Sequence, residues 1–559
     1  MPVPRAWTDR ALVGSWTVPV SVMLVAAVSP FERPLPGAVF GFTLTTVELS
    51  IVLALLAGGV AAMREPATSR WLTPITLPLL ALFVCAMVSS AAAPEFRGNA
   101  FKFVGRLAAA SLIFILVVNA VTTWRLARQI VAVLLAAGAV VGAIAVLELA
   151  QVPVVLDTLR LFRPGFHVVG GQLRATSTLF YPTITSMYLE VVFALGLMWI
   201  ASSRLAFTAL IIIGAGIIAT FTRAGLITMS LSLTCYAAAV YWTRRRWDRE
   251  HTRVTALAAI LIALVLVSRS PQMLVTRITN ELSQDWYGAS YQVPDTLALR
   301  SGSFNEVPVT LSNRGWITWQ SAAEPVFALS YHWLTVDTEE VLLYDGLRTP
   351  FAQPVAPGDD VQLQARVRAP GYPGSYVLVW DVVQEHRTWL SLEGVYPGRT
   401  LVTVHGDAVT PPLPTRGRMP SGTMRMPRSV LWSTALDLSR ARPWLGIGPD
   451  NFRLVYGPRV GLTSWDTRVH TNNTYLEVLV GTGLIGFAAM LWLLIAAAWS
   501  TIGRFAAANA DTVRLVAATT AAGLAIAAHA MVDSFLTFTS TYVVFAIAAG
   551  LHYSHAHRV

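Results

Sequence analysis

The chain has 559 residues, 54% of them hydrophobic and 13% charged, with a formal net charge of +10 and a mean hydropathy of +0.56. An ordinary soluble domain carries about 25% charged residues, so lipid is the solvent for most of this sequence. The positive excess is almost wholly arginine in short loops between apolar runs, which points to topology signals and anion ligands and away from a nucleic-acid surface; Cys85 and Cys235 both fall in apolar runs, which excludes a disulfide framework or a cysteine metal site.

Taken in chain order, Met1 to Arg10 is positively charged ahead of an apolar run, as in a signal peptide, but no small-residue cleavage site follows. We read that run as a retained helix. Runs of roughly 17 to 25 apolar residues cross about 30 Å of hydrocarbon. On that basis spans are expected near 12-29, 37-62, 72-92, 101-121, 127-149, 182-201, 205-221, 224-242, 254-268, 477-498, 512-531 and 536-552. The loops on one side of this arrangement hold Arg64 and Arg70, Arg125 and Arg128, Arg204, the cluster Arg244, Arg245, Arg246, Arg249 and Arg253, then Arg504 and Arg514. The positive-inside rule puts that side, and both termini, in the cytoplasm.

Two loops are then left outside, 150-181 and 269-476. The first carries Arg160, Arg163 and Arg174 where short loops normally avoid positive charge, and an anionic ligand would explain the exception. Within the second, about 295-405 shows short alternating runs such as Val307 to Gly315, Val326 to Trp333, Val361 to Val367 and Gly374 to Asp381, punctuated by Gly, Pro and Asn. That spacing predicts a β-sandwich of roughly 110 residues, loosely resembling immunoglobulin-like accessory domains of bacterial surface proteins. Its tryptophans, Trp316, Trp319, Trp333, Trp380 and Trp389, read as core, with a sugar-stacking platform as the other possibility. Pro411 to Pro420 reads as a linker back to the membrane. The expected organisation is thus 1-268 as an N-terminal membrane region, 269-427 as the extracytoplasmic insertion, 428-476 as an outer catalytic loop and 477-559 as a C-terminal membrane region of about three helices.

After the linker come Arg428-Ser-Val-Leu-Trp432, Arg442-Pro-Trp-Leu-Gly446-Ile-Gly448-Pro-Asp-Asn-Phe452, and His470-Thr-Asn-Asn-Thr-Tyr475-Leu-Glu477 running on to Gly486. With Phe221-Thr-Arg223-Ala-Gly225 upstream, this ordered set resembles the O-antigen ligase and O-antigen polymerase family of polytopic membrane glycosyltransferases. The sequence departs from that family's pattern in Thr471, which separates His470 from Asn472, and in the insertion. The resemblance implies an all-α, GT-C-like fold of about twelve transmembrane helices. It also implies transfer of a glycan from a polyprenyl-pyrophosphate-linked donor to an acceptor hydroxyl at the outer face of the bacterial inner membrane, the acceptor being a lipid, a glycan or a protein.

Such chemistry needs cations for the pyrophosphate leaving group and a base for the hydroxyl. Arginine suits the first task because its planar fork bonds phosphate bidentately and keeps its charge when partly desolvated. Arg223 is the first candidate and Arg428 the second, with Arg425 and Arg442 close enough in sequence to substitute for it; Arg174 is a further ligand. His470 is the candidate base. Gly446 and Gly448 are read as a tight turn near sugar or phosphate, Asn472 and Tyr475 as substrate contacts, Thr471 or Asn472 as the cap of the following helix, and Glu477 with Asp533 as a paired base and orienter or as helix-terminal polar residues. No Asp-x-Asp stands in the outer loops, so no metal and no other cofactor is expected. A lipid-glycan transporter is the rival from another class, and it would show internal repeats with broken helices, which we do not find in the sequence. A glycan-binding scaffold would not need a dozen spans. Oligomeric state is left open.

Overall fold

With residues 37–44 of the second run outside the described residues, each of the twelve predicted runs overlaps a helix in the computed structural model. It describes residues 6–35, 45–64, 71–163, 167–169, 172–245, 247–268, 287–323, 326–385, 388–393, 395–415, 417, 428–460, 467–509, 512–534 and 536–554, with side chains from residue 16 onward. Arg70, Arg246 and Arg425 lie outside the described residues. The helices are α1 (Ala6–Val28), α2 (Thr46–Arg64), α3 (Thr76–Ala92), α4 (Arg97–Ala120), α5 (Trp124–Leu149), the short α6 (Pro153–Leu159), α7 (Pro182–Gly196), α8 (Arg204–Ala219), α9 (Arg223–Arg244) and α10 (Arg249–Val267). Beyond the insertion follow α11 (Arg428–Ala441), α12 (Phe452–Arg459), α13 (Thr474–Ala507), α14 (Thr512–His529) and α15 (Thr539–Tyr553).

Among the described residues, 8 helices are long and apolar enough to cross a membrane. That makes the chain a multi-pass membrane protein. Runs such as Thr76–Ala92 and Arg204–Ala219 are shorter; Ser203 accepts from the Ala206 amide to start α8. Asp248 caps α10, taking the amides of Glu250 and His251. Glu250, 2% exposed, then ties three helices together, accepting from Tyr236 and Arg244 of α9 and from Arg514 of α14. Part of the arginine excess in these loops is therefore internally paired.

Apart from a short antiparallel pair, β1 (His167–Val169) with β2 (Gln172–Arg174), the described strands lie in residues 289–405 and form two sheets. One has the order β3-β5-β9, from Ala289–Gln292, Phe304–Asn313 and Asp360–Arg368. The other follows β4-β12-β10-β6-β7, with β4 Thr296–Arg300, β6 Phe327–Thr335, β7 Val341–Leu343, β10 Gly374–Gln384 and β12 Gly398–His405, and with β8 (Thr349–Pro350) paired to β6 and β11 (Thr388–Trp389) paired to β10. All pairings are antiparallel except β12 with β4. Alternation along the strands feeds one shared core that contains Trp319, Trp333 and Trp380, as a period of two requires. Trp389 is also buried, whereas Trp316 is 40% exposed. The chain from β12 stays against the sheets, where Gly417 accepts from the Val341 amide.

Candidate functional site

The two glycines of the Arg442 to Phe452 segment hold a loop against a broken helix. Helix α13 is broken at Gly483, whose φ of 66° is left-handed, and the break frees backbone groups for the segment before it. The Ile447 and Gly448 amides donate to the carbonyls of Val480 and Gly481, and the Leu484 amide donates to the Pro443 carbonyl. At Gly446, φ is 66° and a Cβ would stand 2.5 Å from two of those carbonyl oxygens; a side chain is excluded on both counts. Gly446 and Gly448, read from the sequence as a tight turn near sugar or phosphate, interlock the loop with the broken helix. Ser89 of α3 fastens both partners, donating to Leu445 and Gly481 carbonyls.

What the interlock presents is Asp450, which is 2% exposed. Its main chain is fixed by Asn99, and Asn451 is tied to the Glu95 and Ile447 carbonyls. Arg106 and Arg453 face its carboxylate at 3.4 and 3.3 Å. His470 Nδ1 lies 3.5 Å from Asp450 Oδ1 and 3.8 Å from Glu477 Oε1. Glu477, one turn into α13, spends its other oxygen on the amide and hydroxyl of Thr471. His470 Nδ1 and Glu477 Oε1 are buried without hydrogen-bond partners, since both separations exceed hydrogen-bonding reach. The pull between them is electrostatic. Burial works against the imidazolium, but Glu477 and then Asp450 outweigh it despite the opposing Arg453, and the His470 pKa is raised above its ordinary 6.5.

Asp450, His470 and Glu477 bring ligand atoms within 4.8 Å of one another. Folding thus assembles an acidic cluster that the outer loops lack in linear sequence. In residue type the set would suit a divalent ion. Arg106 and Arg453, however, already offset the charges of Asp450 and Glu477, so a dication would add two positive charges to a group that is balanced without it.

The arginines gather at the same end of the bundle. Arg174 donates to the Thr220 carbonyl and to Thr222, the residue before Arg223, so Arg174 and Arg223 flank the start of α9. Close packing of α9 on α7 is enforced at Gly225, where a Cβ would stand 2.0 Å from Ser186 Oγ. That approach lets Thr228 bond Glu190, which also pairs with His529 at 2.8 Å. Arg428 and Asp533 lie near enough to act electrostatically on His529. Arg428 shares a face of α11 with Trp432, one turn on, and Trp432 Nε1 donates to the Thr471 carbonyl. The Thr474 amide and hydroxyl bond the Ala530 and Asp533 carbonyls. Arg428 and the His470 motif are thereby joined through α11 and the turn after α14.

Several of the expected residues have other partners or positions in the fold. Tyr475 gives its hydroxyl to the Ala527 carbonyl, a packing contact between helices. Asn473 caps α13 by accepting from Leu476, a task expected of Thr471 or Asn472; Asn472 instead takes a left-handed φ of 50°. Arg442 is exposed at the end of α11. Asp533 is not the partner of Glu477, which faces His470. Nor do all basic residues of the 150-181 loop await an anion: Arg160 pairs with Asp157, and Arg163 with Glu148. The latter pair is buried at 2% and 0% side-chain exposure, with Glu148 also holding the Thr176 and Ser177 amides. Glu148→Ala should therefore cost about 3–5 kcal/mol by stranding Arg163, read as an early thermal transition in detergent, whereas Arg160→Ala should leave that transition in place.

Asp450 is the residue that sequence reasoning missed. It stood inside the Gly448 to Phe452 motif, but the cue that it faces His470 is spatial. Residues 400–491 match the O-antigen ligase family. The matched stretch holds Arg428, Asp450, His470 and Glu477 and ends inside α13; it does not reach Arg174 or Arg223. No curated protein matches the chain. Among solved structures, a Pseudomonas fluorescens alkylpurine DNA glycosylase AlkC bound to DNA containing an abasic site analog aligns with 64% of this chain and 88% of its own at 10% identity. Its TM-score is 0.14, too low to bear on fold or function.

Proposed function

We propose that this protein is a metal-independent membrane glycosyltransferase of the O-antigen ligase type. It moves a glycan from a polyprenyl-pyrophosphate donor to an acceptor hydroxyl at the outer face of the bacterial cytoplasmic membrane. The observation that carries the reading is the His470 imidazole set between Asp450 and Glu477 inside the segment that matches the O-antigen ligase family. With a proton held on Nδ1 by the two carboxylates, Nε2 is the lone-pair nitrogen and takes the proton of the acceptor hydroxyl. The hydroxyl oxygen attacks the anomeric carbon, the bond to pyrophosphate breaks with inversion, and Arg223 and Arg428, with Arg174 beside them, receive the leaving charge. Ligase, polymerase and protein oligosaccharyltransferase share this step and differ in acceptor.

In the same reading all twelve predicted runs span the membrane, the two sheets are an inserted β-sandwich domain, and the insertion faces outward. The test is transfer by purified protein from a lipid-linked glycan, with chelator present, to lipid, glycan and protein acceptors in parallel. Product with at least one acceptor is expected. No product with any of the three sinks the assignment, and product that appears only without chelator sinks metal independence. Topology is checked separately. A cysteine placed at 345 should react with a membrane-impermeant reagent from outside and one at 247 should not; the reverse pattern would put the arginines and His470 on the wrong side for such a donor.

A further inference from the structure

The insertion carries a cleft on its surface. A cleft of about 740 Å³ opens where the chain crosses from the end of β3 to β4, beside the start of β12. It is open to solvent along the surface and is not an enclosed cavity. Its polar lining comes from Gln292, Asp295, Thr310 and Arg399. Gln292 and Thr310 are register partners on the outward face of the β3-β5 pair. Three prolines, Pro294, Pro308 and Pro397, make the apolar part of the wall. Next to Pro397 stands Tyr396, 70% exposed.

The floor of the cleft is rigid. Thr400 Oγ1 donates to the Pro294 carbonyl at 2.7 Å, the Leu401 amide donates to the Asp295 carbonyl at 2.9 Å, and Trp380 Nε1 in turn donates to Thr400. Gly398 fits only because it has no side chain: a Cβ would stand 2.9 Å from Tyr291 and 3.2 Å from Val293. The ligand would meet a surface already formed, so little binding energy is lost to ordering it.

The chemistry of the lining selects the ligand. An amide, a hydroxyl, a carboxylate and a guanidinium supply donors and acceptors at different angles, which suits a polyol. Proline ring faces offer flat, weakly hydrated surface to the C–H face of a sugar. Asp295 and Arg399 are of opposite sign, and Arg399 is also paired with Glu339 at 2.9 Å, so the cleft has no net positive charge to draw a pyrophosphate or a nucleic acid. We propose that this cleft binds the saccharide portion of the acceptor, so that the acceptor is a glycan or a glycolipid and the insertion holds it while its hydroxyl reaches His470. This proposal rests on the transferase reading only for the word acceptor; saccharide binding stands apart from it.

The experiment uses the full-length protein in nanodiscs and, as probe, oligosaccharides released by mild acid from the envelope glycolipids of the source cells, followed by saturation-transfer NMR. Wild type should show saturation of the sugar signals. Thr310→Trp, which fills the cleft, and the double change Gln292→Ala with Arg399→Ala, which leaves it open but strips its polar groups, should each weaken binding at least about tenfold. Having two variants separates a misfolded sheet from a lost site, and donor binding should survive in both. In the transfer assay the acceptor KM should rise by a similar factor. Absence of saturation in wild type, or equal saturation in all three proteins, overturns the proposal. Binding without transfer in wild type would sink the transferase reading and leave the cleft, whereas transfer with an unchanged acceptor KM in both variants would sink the cleft and leave the transferase.

Discussion

Arg223→Ala should reduce glycan transfer by roughly 10²- to 10³-fold, the usual cost of one fixed donor to a charge that develops in the transition state. Pyrophosphate gains charge as its bond to the sugar breaks, and Arg223 stands at the first turn of α9, where the free amides of a helix start add to the pull on an anion. Arg174 braces that start through Thr220 and Thr222. Arg223→Lys should recover only a small part of the rate, because lysine keeps the charge but loses the fork. Arg428→Ala should fall in the same range as Arg223→Ala, while exposed Arg442→Ala should change the rate little. All variants should express and insert as wild type does, since α9 is held on α7 by the Gly225 contact and the Thr228 bond to Glu190. Near-wild-type transfer by Arg223→Ala would remove it from the leaving-group site.

The helices were legible because a bilayer imposes a length and a polarity on every span, and those are properties of contiguous sequence. The strands from Phe304 onward were legible for a related reason, since a half-buried strand writes its period of two into the residues. Trp333 and Trp380 were placed in the core on that basis and lie there. The four residues of β3 were too short a run to stand out, so the sheets begin at Ala289, ahead of the predicted start near 295.

What escaped the sequence is whatever depends on a partner from another segment. Asp450 comes from a different segment than His470 and Glu477 and does not look special until the loop has docked, and Glu477 was read against Asp533 when it faces His470. Gly446 reads as a turn glycine in any linear view; its real constraint is a pair of carbonyls made available by the break at Gly483. The same holds for Arg163, whose charge looked unexplained because Glu148 sits in the preceding helix. The break in α13 also qualifies the contrast with transporters. A discontinuous helix is present, but its exposed backbone is taken up by a loop of the same chain, where a transporter would offer it to an ion.

His470→Ala should lower kcat by about 10²- to 10⁴-fold, the range of a positioned general base, and leave donor binding intact, because the imidazole acts on the acceptor and holds no part of the pyrophosphate. The pH dependence follows from the two carboxylates. Their charge raises the His470 pKa above 6.5 against the effect of burial, and only the neutral ring accepts a proton, so the acid limb of the kcat profile should lie above the ordinary histidine range. Stability runs the other way. A group whose folded pKa is raised favours the fold most below its unfolded value, and that contribution is lost as pH rises through the folded value. The protein should therefore gain rate and lose a little stability over the same interval above pH 6.5. Glu477→Gln keeps the shape and removes one charge, so it should move the acid limb to lower pH and shrink the stability change, while Asp450→Asn should do the same and also loosen Arg106 and Arg453. A merely structural Glu477 would lower the rate without moving the limb. An unmoved limb in Glu477→Gln would thus separate the carboxylates from the base, and full activity in His470→Ala would remove the base itself.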